Sequence, residues 1–138
     1  MKNLLFTALA NMLSASFALA QPTIQWQECL GGSGNDRAFD IQKTIDGGYI
    51  LAGSSDSNND DVSGNHGDID YWVVKISSIG TIEWEKSYGG SGRDYASSIQ
   101  QTSDGGYIVA GSSVSNDGDV SGNHSLGEDY WVVKLTSL

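Results

Sequence analysis

Asp46-Gly47-Gly48-Tyr49-Ile50-Leu51-Ala52-Gly53-Ser54-Ser55 is answered 58 positions later by Asp104-Gly105-Gly106-Tyr107-Ile108-Val109-Ala110-Gly111-Ser112-Ser113. Working outward, Trp26 recurs as Trp84, Gly31-Gly32-Ser33-Gly34 as Gly89 to Gly92, and Asp36 as Asp94, all at that offset. Val62 to His66 keeps it as Val120 to His124. After one inserted residue, Asp70-Tyr71-Trp72-Val73-Val74-Lys75 returns as Asp129 to Lys134. The insertion falls in a polar stretch, where a loop tolerates it. The chain is one unit written twice.

Inside each copy the apolar residues alternate with polar ones, and glycine-rich segments punctuate them. In Thr81 to Lys86, Ile82 and Trp84 alternate with Glu83 and Glu85, the pattern of a half-buried strand. Tyr49 to Ala52 and Tyr71 to Ile76 are rich in β-branched and aromatic residues, which favour strands. Ala38 to Thr44 supplies a weaker fourth strand, and Asp46-Gly47-Gly48 marks a hairpin turn. Helical spacing of apolar residues is missing after Gln21. The expected class is all-β, with two tandem four-stranded units of the propeller-blade type forming an incomplete propeller.

The N-terminus reads as a leader. Lys2 provides a positive start, Leu4 to Leu13 an apolar stretch, and Ala18-Leu19-Ala20 a small-residue cleavage site. The expected division is a signal peptide at 1–20, a first repeat with a leading strand at 21–80, and a second repeat at 81–138. The expected destination is secreted or cell-surface, with no membrane insertion after cleavage. Formal charge is −10, and −11 once Lys2 is gone, so nucleic acid is excluded as a partner. Cys29 is the one cysteine, and Ser87 takes its place in the second repeat, so an intrachain disulfide is excluded and a small strand residue expected.

The chain resembles the bacterial secreted β-propeller repeat proteins, whose units read Gly-Gly-Ser-Gly-x-Asp-x-Ala, then Asp-Gly-Gly-Tyr and Ala-Gly-x-Ser. Gly31 to Ala38 and Asp46 to Ser54 carry the likeness, as do Gly89 to Ala96 and Asp104 to Ser112. It spans residues 23 to 138 and implies an exported propeller module without enzymatic activity. Thr23 to Trp26 matches Thr81 to Trp84, the last strand of a blade, so it is expected to complete the final blade. Two blades cannot close a ring by themselves, since propellers use about 4 to 8. Three outcomes stay open: several chains assemble, the chain is a piece of a longer surface protein, or the two units pack face to face as a small sandwich.

Two candidate sites stand out. Asn59, Asp61, Ser63 and Asn65 in the first repeat, and Asp117, Asp119, Ser121 and Asn123 in the second, place oxygen donors at alternate positions. Ca²⁺ seeks such ligands, although these residue types also build ordinary Asx-turn loops. Tyr71-Trp72 and Tyr130-Trp131 could present aromatic platforms to a glycan, or serve as packing residues. His66 and His124 read as loop residues, Glu83 and Glu85 as solvated, and Asp36 and Asp94 as turn braces. The expected role is an extracellular binding or adhesion module for a glycan or a surface protein. A self-assembling structural subunit (a homo-oligomer) is the alternative.

Overall fold

The computed structural model describes residues 21–124 and 127–137. The expected signal peptide lies outside the described residues. Seven strands follow in order: β1 (Asp36–Lys43), β2 (Tyr49–Ser55), β3 (Asp70–Ile76), β4 (Ile82–Tyr88), β5 (Asp94–Gln101), β6 (Tyr107–Ser113) and β7 (Asp129–Leu135). They form two antiparallel meanders, sheet 1 in the order β1-β2-β3-β4 and sheet 2 in the order β5-β6-β7. The protein is all-β, and the sheets repeat with the sequence. They do not close a propeller.

Both repeats fold through the same local devices. Gly47 and Gly105 take positive φ in the β1–β2 and β5–β6 hairpins, a conformation open to glycine without steric cost. Gly53 and Gly111 face a bulge in the neighbouring strand, at Ala38/Asp40 and Ala96/Ser98. A Cβ there would overlap the carbonyl oxygen of Arg37 or Tyr95, so close backbone approach demands glycine.

The sheets stack in a directional way. Alternation gives each sheet two faces. The first bears Trp72, Val74 and Ile76 in sheet 1, and Trp131, Val133 and Leu135 in sheet 2. The second bears Tyr71 and Val73 in sheet 1, and Tyr130 and Val132 in sheet 2. The second face of sheet 1 packs on the first face of sheet 2, burying Ile50, Ala52, Tyr71 and Val73 against Ala96, Ile99, Tyr107 and Val109. Each such fully buried aliphatic contributes roughly 1.5–3 kcal/mol. The Tyr71 ring lies 4.6 Å from that of Trp131, and its hydroxyl donates to the Trp131 carbonyl at 2.9 Å. A smaller cluster of Trp72, Val74 and Ile76, with Val62 and Leu30, lies on the other face of sheet 1 and leaves Ile41 exposed.

The expected leading strand is corrected here. Residues 23–26 are not in a strand, because no backbone among the described residues runs alongside to form a ladder. Nor do they complete sheet 2: Trp26 packs on Tyr49 of sheet 1, with ring centroids 6.1 Å apart. Cys29, expected in a strand, is an exposed free thiol in the same segment.

Candidate functional site

Because both sheets are meanders, their long connections gather at one end, opposite the tight hairpins. At this end stand the glycine-rich loops 31–35 and 89–93, and the polar loops 56–69 and 114–124. Each glycine-rich loop is a run of backbone N–H groups with few side chains, and the carboxylates satisfy them. Gly32 N donates to Asp36 Oδ2 at 2.8 Å, and the Ser57 hydroxyl donates to the same oxygen. Gly34 N donates to Ser57 Oγ, Ser33 N to Asn59 Oδ1 at 3.0 Å, and Gly31 N to Asp61 Oδ2 at 3.2 Å. The second repeat reproduces each bond: Gly90 N to Asp94 Oδ2, Gly92 N to Ser115 Oγ, Ser91 N to Asp117 Oδ1, and Gly89 N to Asp119 Oδ2. The Ser91 N–H and hydroxyl hold the Asp117 carboxyl below its ordinary pKa. Asp36 and Asp94 brace the turn as their position promised.

The eight oxygen donors proposed for calcium are therefore mostly spent on their own loops. Asn59, Asp61, Asp117 and Asp119 hold backbone N–H groups, and each pair reaches different residues of the glycine loop. Asn65 and Asn123 donate through Nδ2 to the Ser55 and Ser113 carbonyls, both at 3.0 Å. Ser63 donates to Glu85 Oε1 at 2.6 Å, while Ser121 is exposed at the loop surface. Among the described residues, no three His, Cys, Asp or Glu side chains group closely enough to hold a metal ion.

The aromatic pairs divide. Tyr71 is fully buried and Trp72 is 6% exposed, its indole donating to Glu85 Oε2 at 2.9 Å. A glycan platform on Tyr71 and Trp72 is thus corrected: the inter-sheet core claims one and the outer face of sheet 1 the other. Trp131 packs beneath Tyr71, whereas Tyr130 is 97% exposed. Glu83 and Glu85 are also not simply solvated. Glu83 meets the buried Lys75 ammonium at 2.7 Å, with Asp46 at 2.9 Å on the same group.

A junction between the repeats escaped the sequence reading. His66 Nδ1 lies 2.8 Å from Asp70 Oδ2, and its Nε2 reaches to 3.8 Å from Asp119 Oδ2. Asp70 and Asp94 are both fully buried, and the Oδ1 atom of each has no hydrogen-bond partner. A side chain on Gly89 would run into both carboxyls. Burial, with a smaller push from Asp94, raises the Asp70 pKa despite the bonds from His66. His124 and Asp129 repeat the pair at 2.8 Å on the open side of sheet 2. The signal for this junction is a His followed by an Asp in both repeats, four positions on in the first and five in the second, legible only once the stacking is known.

No protein-family model matches the chain, and a search of curated proteins finds no match either. No helix among the described residues is long and apolar enough to cross a membrane.

Proposed function

We propose that this chain is a non-catalytic, exported module of the bacterial secreted β-propeller repeat type, serving as an extracellular binding or adhesion scaffold. The observation that carries this reading is the doubled loop end. Both repeats deliver a glycine-rich and a polar loop to the same side, and internal carboxylates, not a ligand, hold them in shape. A surface so organised binds without first paying the cost of ordering its loops. Its outermost polar residues, Asn58 and Asp60 in the first repeat and Asn116 in the second, are exposed. They suit a hydroxyl-rich glycan or a polar patch on a surface protein. The leader-like N-terminus and the acidic balance fit an exported site of action. Calcium is secondary here, because the backbone N–H groups already occupy the carboxylates that a cation would need.

Glycan and surface-protein arrays probed with the chain expressed from its full sequence test the reading. Retained signal that falls on Asn58→Ala and Asp60→Asn, changes that leave the loop braces in place, supports it. A flat array from a sample with an intact β-sheet circular dichroism spectrum overturns it.

A further inference from the structure

Sheet 2 presents the face that sheet 1 buries. Ile50, Ala52, Tyr71 and Val73 are each fully buried against sheet 2, whereas their counterparts Ile108, Ala110, Tyr130 and Val132 lie open, Tyr130 at 97% and Val132 at 58%. Among the described residues sheet 2 shows three strands where sheet 1 has four, and none of them gives the outer edge of β7 the neighbour that β4 gives β3.

The matching parts lie at the other end of the same molecule. Residues 23–30 correspond to 81–88, which contain β4. Trp26 rests on Tyr49 with centroids 6.1 Å apart and planes at 58°, as Trp84 rests on Tyr107 at 5.8 Å and 59°. The segment therefore already stands where the last strand of a preceding sheet stands, without that sheet. Beside it, a groove of about 280 Å³ lined by Glu28, Leu30, Leu51, Trp72 and Val74 occupies the place where Tyr71 meets Trp131 in the second repeat. A second groove, about 400 Å³, runs between Trp84, Lys86 and Tyr88 of β4 and Lys134 and Leu135 of β7, where a fourth strand of sheet 2 belongs. Polar half-sites follow the same logic. His66 and Asp70 close over Gly89, Asp94 and Asp119. The pair His124 and Asp129 is left open, and so is the loop of Gly31, Asp36 and Asp61.

We propose that a second copy of this chain docks head to tail, its residues 23–30 adding to β7 as a fourth strand while its Trp72 face receives Tyr130 and Val132. Pairing within sheet 1 fixes the register. Val73 opposite Lys86 becomes Val132 opposite Glu28, Trp72 opposite Ser87 becomes Trp131 opposite Cys29, and Lys75 opposite Trp84 becomes Lys134 opposite Trp26. The Gln27 side-chain oxygen takes the indole N–H of Trp131, as Glu85 takes that of Trp72. The two surfaces are different, so the contact is heterologous and propagates until it closes. Closure is expected at roughly two to four copies, since each brings two sheets and propellers close with about 4 to 8.

This rests on the blade reading behind the proposed function, yet its test is separate. In a Cys29→Ser background, Glu28→Cys with Val132→Cys places thiols on opposed residues of different copies, within disulfide reach. Gln27→Cys with Val132→Cys shifts the pair by one residue and turns one thiol to the other face. Oxidation is expected to give intermolecular disulfides about tenfold more abundant in the first variant than in the second. Light scattering on the unmodified chain is expected to show multimers, reduced to monomer by Tyr130→Glu, a change at an exposed position that leaves the fold intact. A folded wild-type monomer at high concentration, equal cross-linking in the two cysteine variants, or multimers unaffected by Tyr130→Glu would each overturn the proposal. Array binding by the monomeric Tyr130→Glu protein then reports on the binding reading alone.

Discussion

Sheet 1 and sheet 2 share their sequence pattern but not their surroundings. Tyr71 and Tyr130 occupy equivalent positions on equivalent strands, one fully buried and the other almost fully exposed. Lys75 is sealed between Asp46 and Glu83, while Lys134 reaches Asp104 from a side chain that is 45% exposed. The difference shows that a repeat encodes two faces, and that position in the stack decides which face is covered. Burial here is a property of neighbours. The unit itself is indifferent to it.

The widest gap between the sheets is expected at their tyrosines. Tyr71→Ala should lower unfolding free energy by about 3–5 kcal/mol, as large aromatic truncations in a core do. Tyr130→Ala, measured in urea at concentrations too low for association, should change it by less than about 0.5 kcal/mol. Equal losses would break the contrast between the sheets.

The glycines opposite the bulges sharpen the comparison from the other side, because there the repeats are alike. Gly53→Ala and Gly111→Ala both push a methyl group into a backbone carbonyl, of Arg37 and Tyr95 respectively. The shared backbone clash is expected to cost each about 1–3 kcal/mol, the range for overpacking, and Gly111→Ala somewhat more, because its methyl group also meets the Tyr71 hydroxyl. Urea midpoints read both.

The lysines come next. Burial pulls the Lys75 pKa down, but Glu83 and Asp46 outweigh it, so the folded value stands above the ordinary one. The group thus contributes its full stability below about pH 10.4, the ordinary lysine pKa, and loses it as pH rises through the higher folded value. Lys75→Met is expected to cost about 1 kcal/mol at neutral pH, a modest figure because the carboxylate partners are half exposed. It should also flatten the alkaline limb of the stability curve. Lys134→Met, at a side chain that is 45% exposed, should cost less at neutral pH; thermal unfolding of the Lys75 variant across pH 8 to 12 reads the alkaline limb.

The smallest effect is expected from chelation. Excess EDTA should leave Tm unmoved, since N–H groups already hold the loop carboxylates. A drop of several degrees would return the loops of Asp61 and Asp119 to a calcium role.

Much of this was legible beforehand. The repeat, the seven strands from Asp36 to Leu135, the Asp46-Gly47-Gly48 hairpin and the unmet rim all follow from period-two patterning and glycine placement, which act locally. Residues 23–26 misled because a strand exists only with a partner, and sequence likeness to Ile82–Tyr88 carries no partner with it. Tyr71 and Trp72 misled for a related reason. Alternation says that they face opposite ways, but not that sheet 2 covers Tyr71 or that Leu30, Val62 and Glu85 enclose the Trp72 side chain. The loop residues were correctly located, yet their oxygens serve glycine N–H groups some 20 to 30 positions away, a pairing that spacing along the chain does not display.

The stacking of unlike faces is tested most directly by a double-mutant cycle on Tyr71 and Trp131, 60 positions apart and in contact only across the sheets. Tyr71→Leu, Trp131→Leu and the double variant, each of which removes a ring from the contact, give their coupling energy when unfolded in urea at low concentration. Directional stacking requires a coupling of about 0.5–1.5 kcal/mol from the ring contact, the hydroxyl bond cancelling because its acceptor is a backbone carbonyl that every variant keeps. A coupling indistinguishable from zero, with all three variants folded, would contradict it.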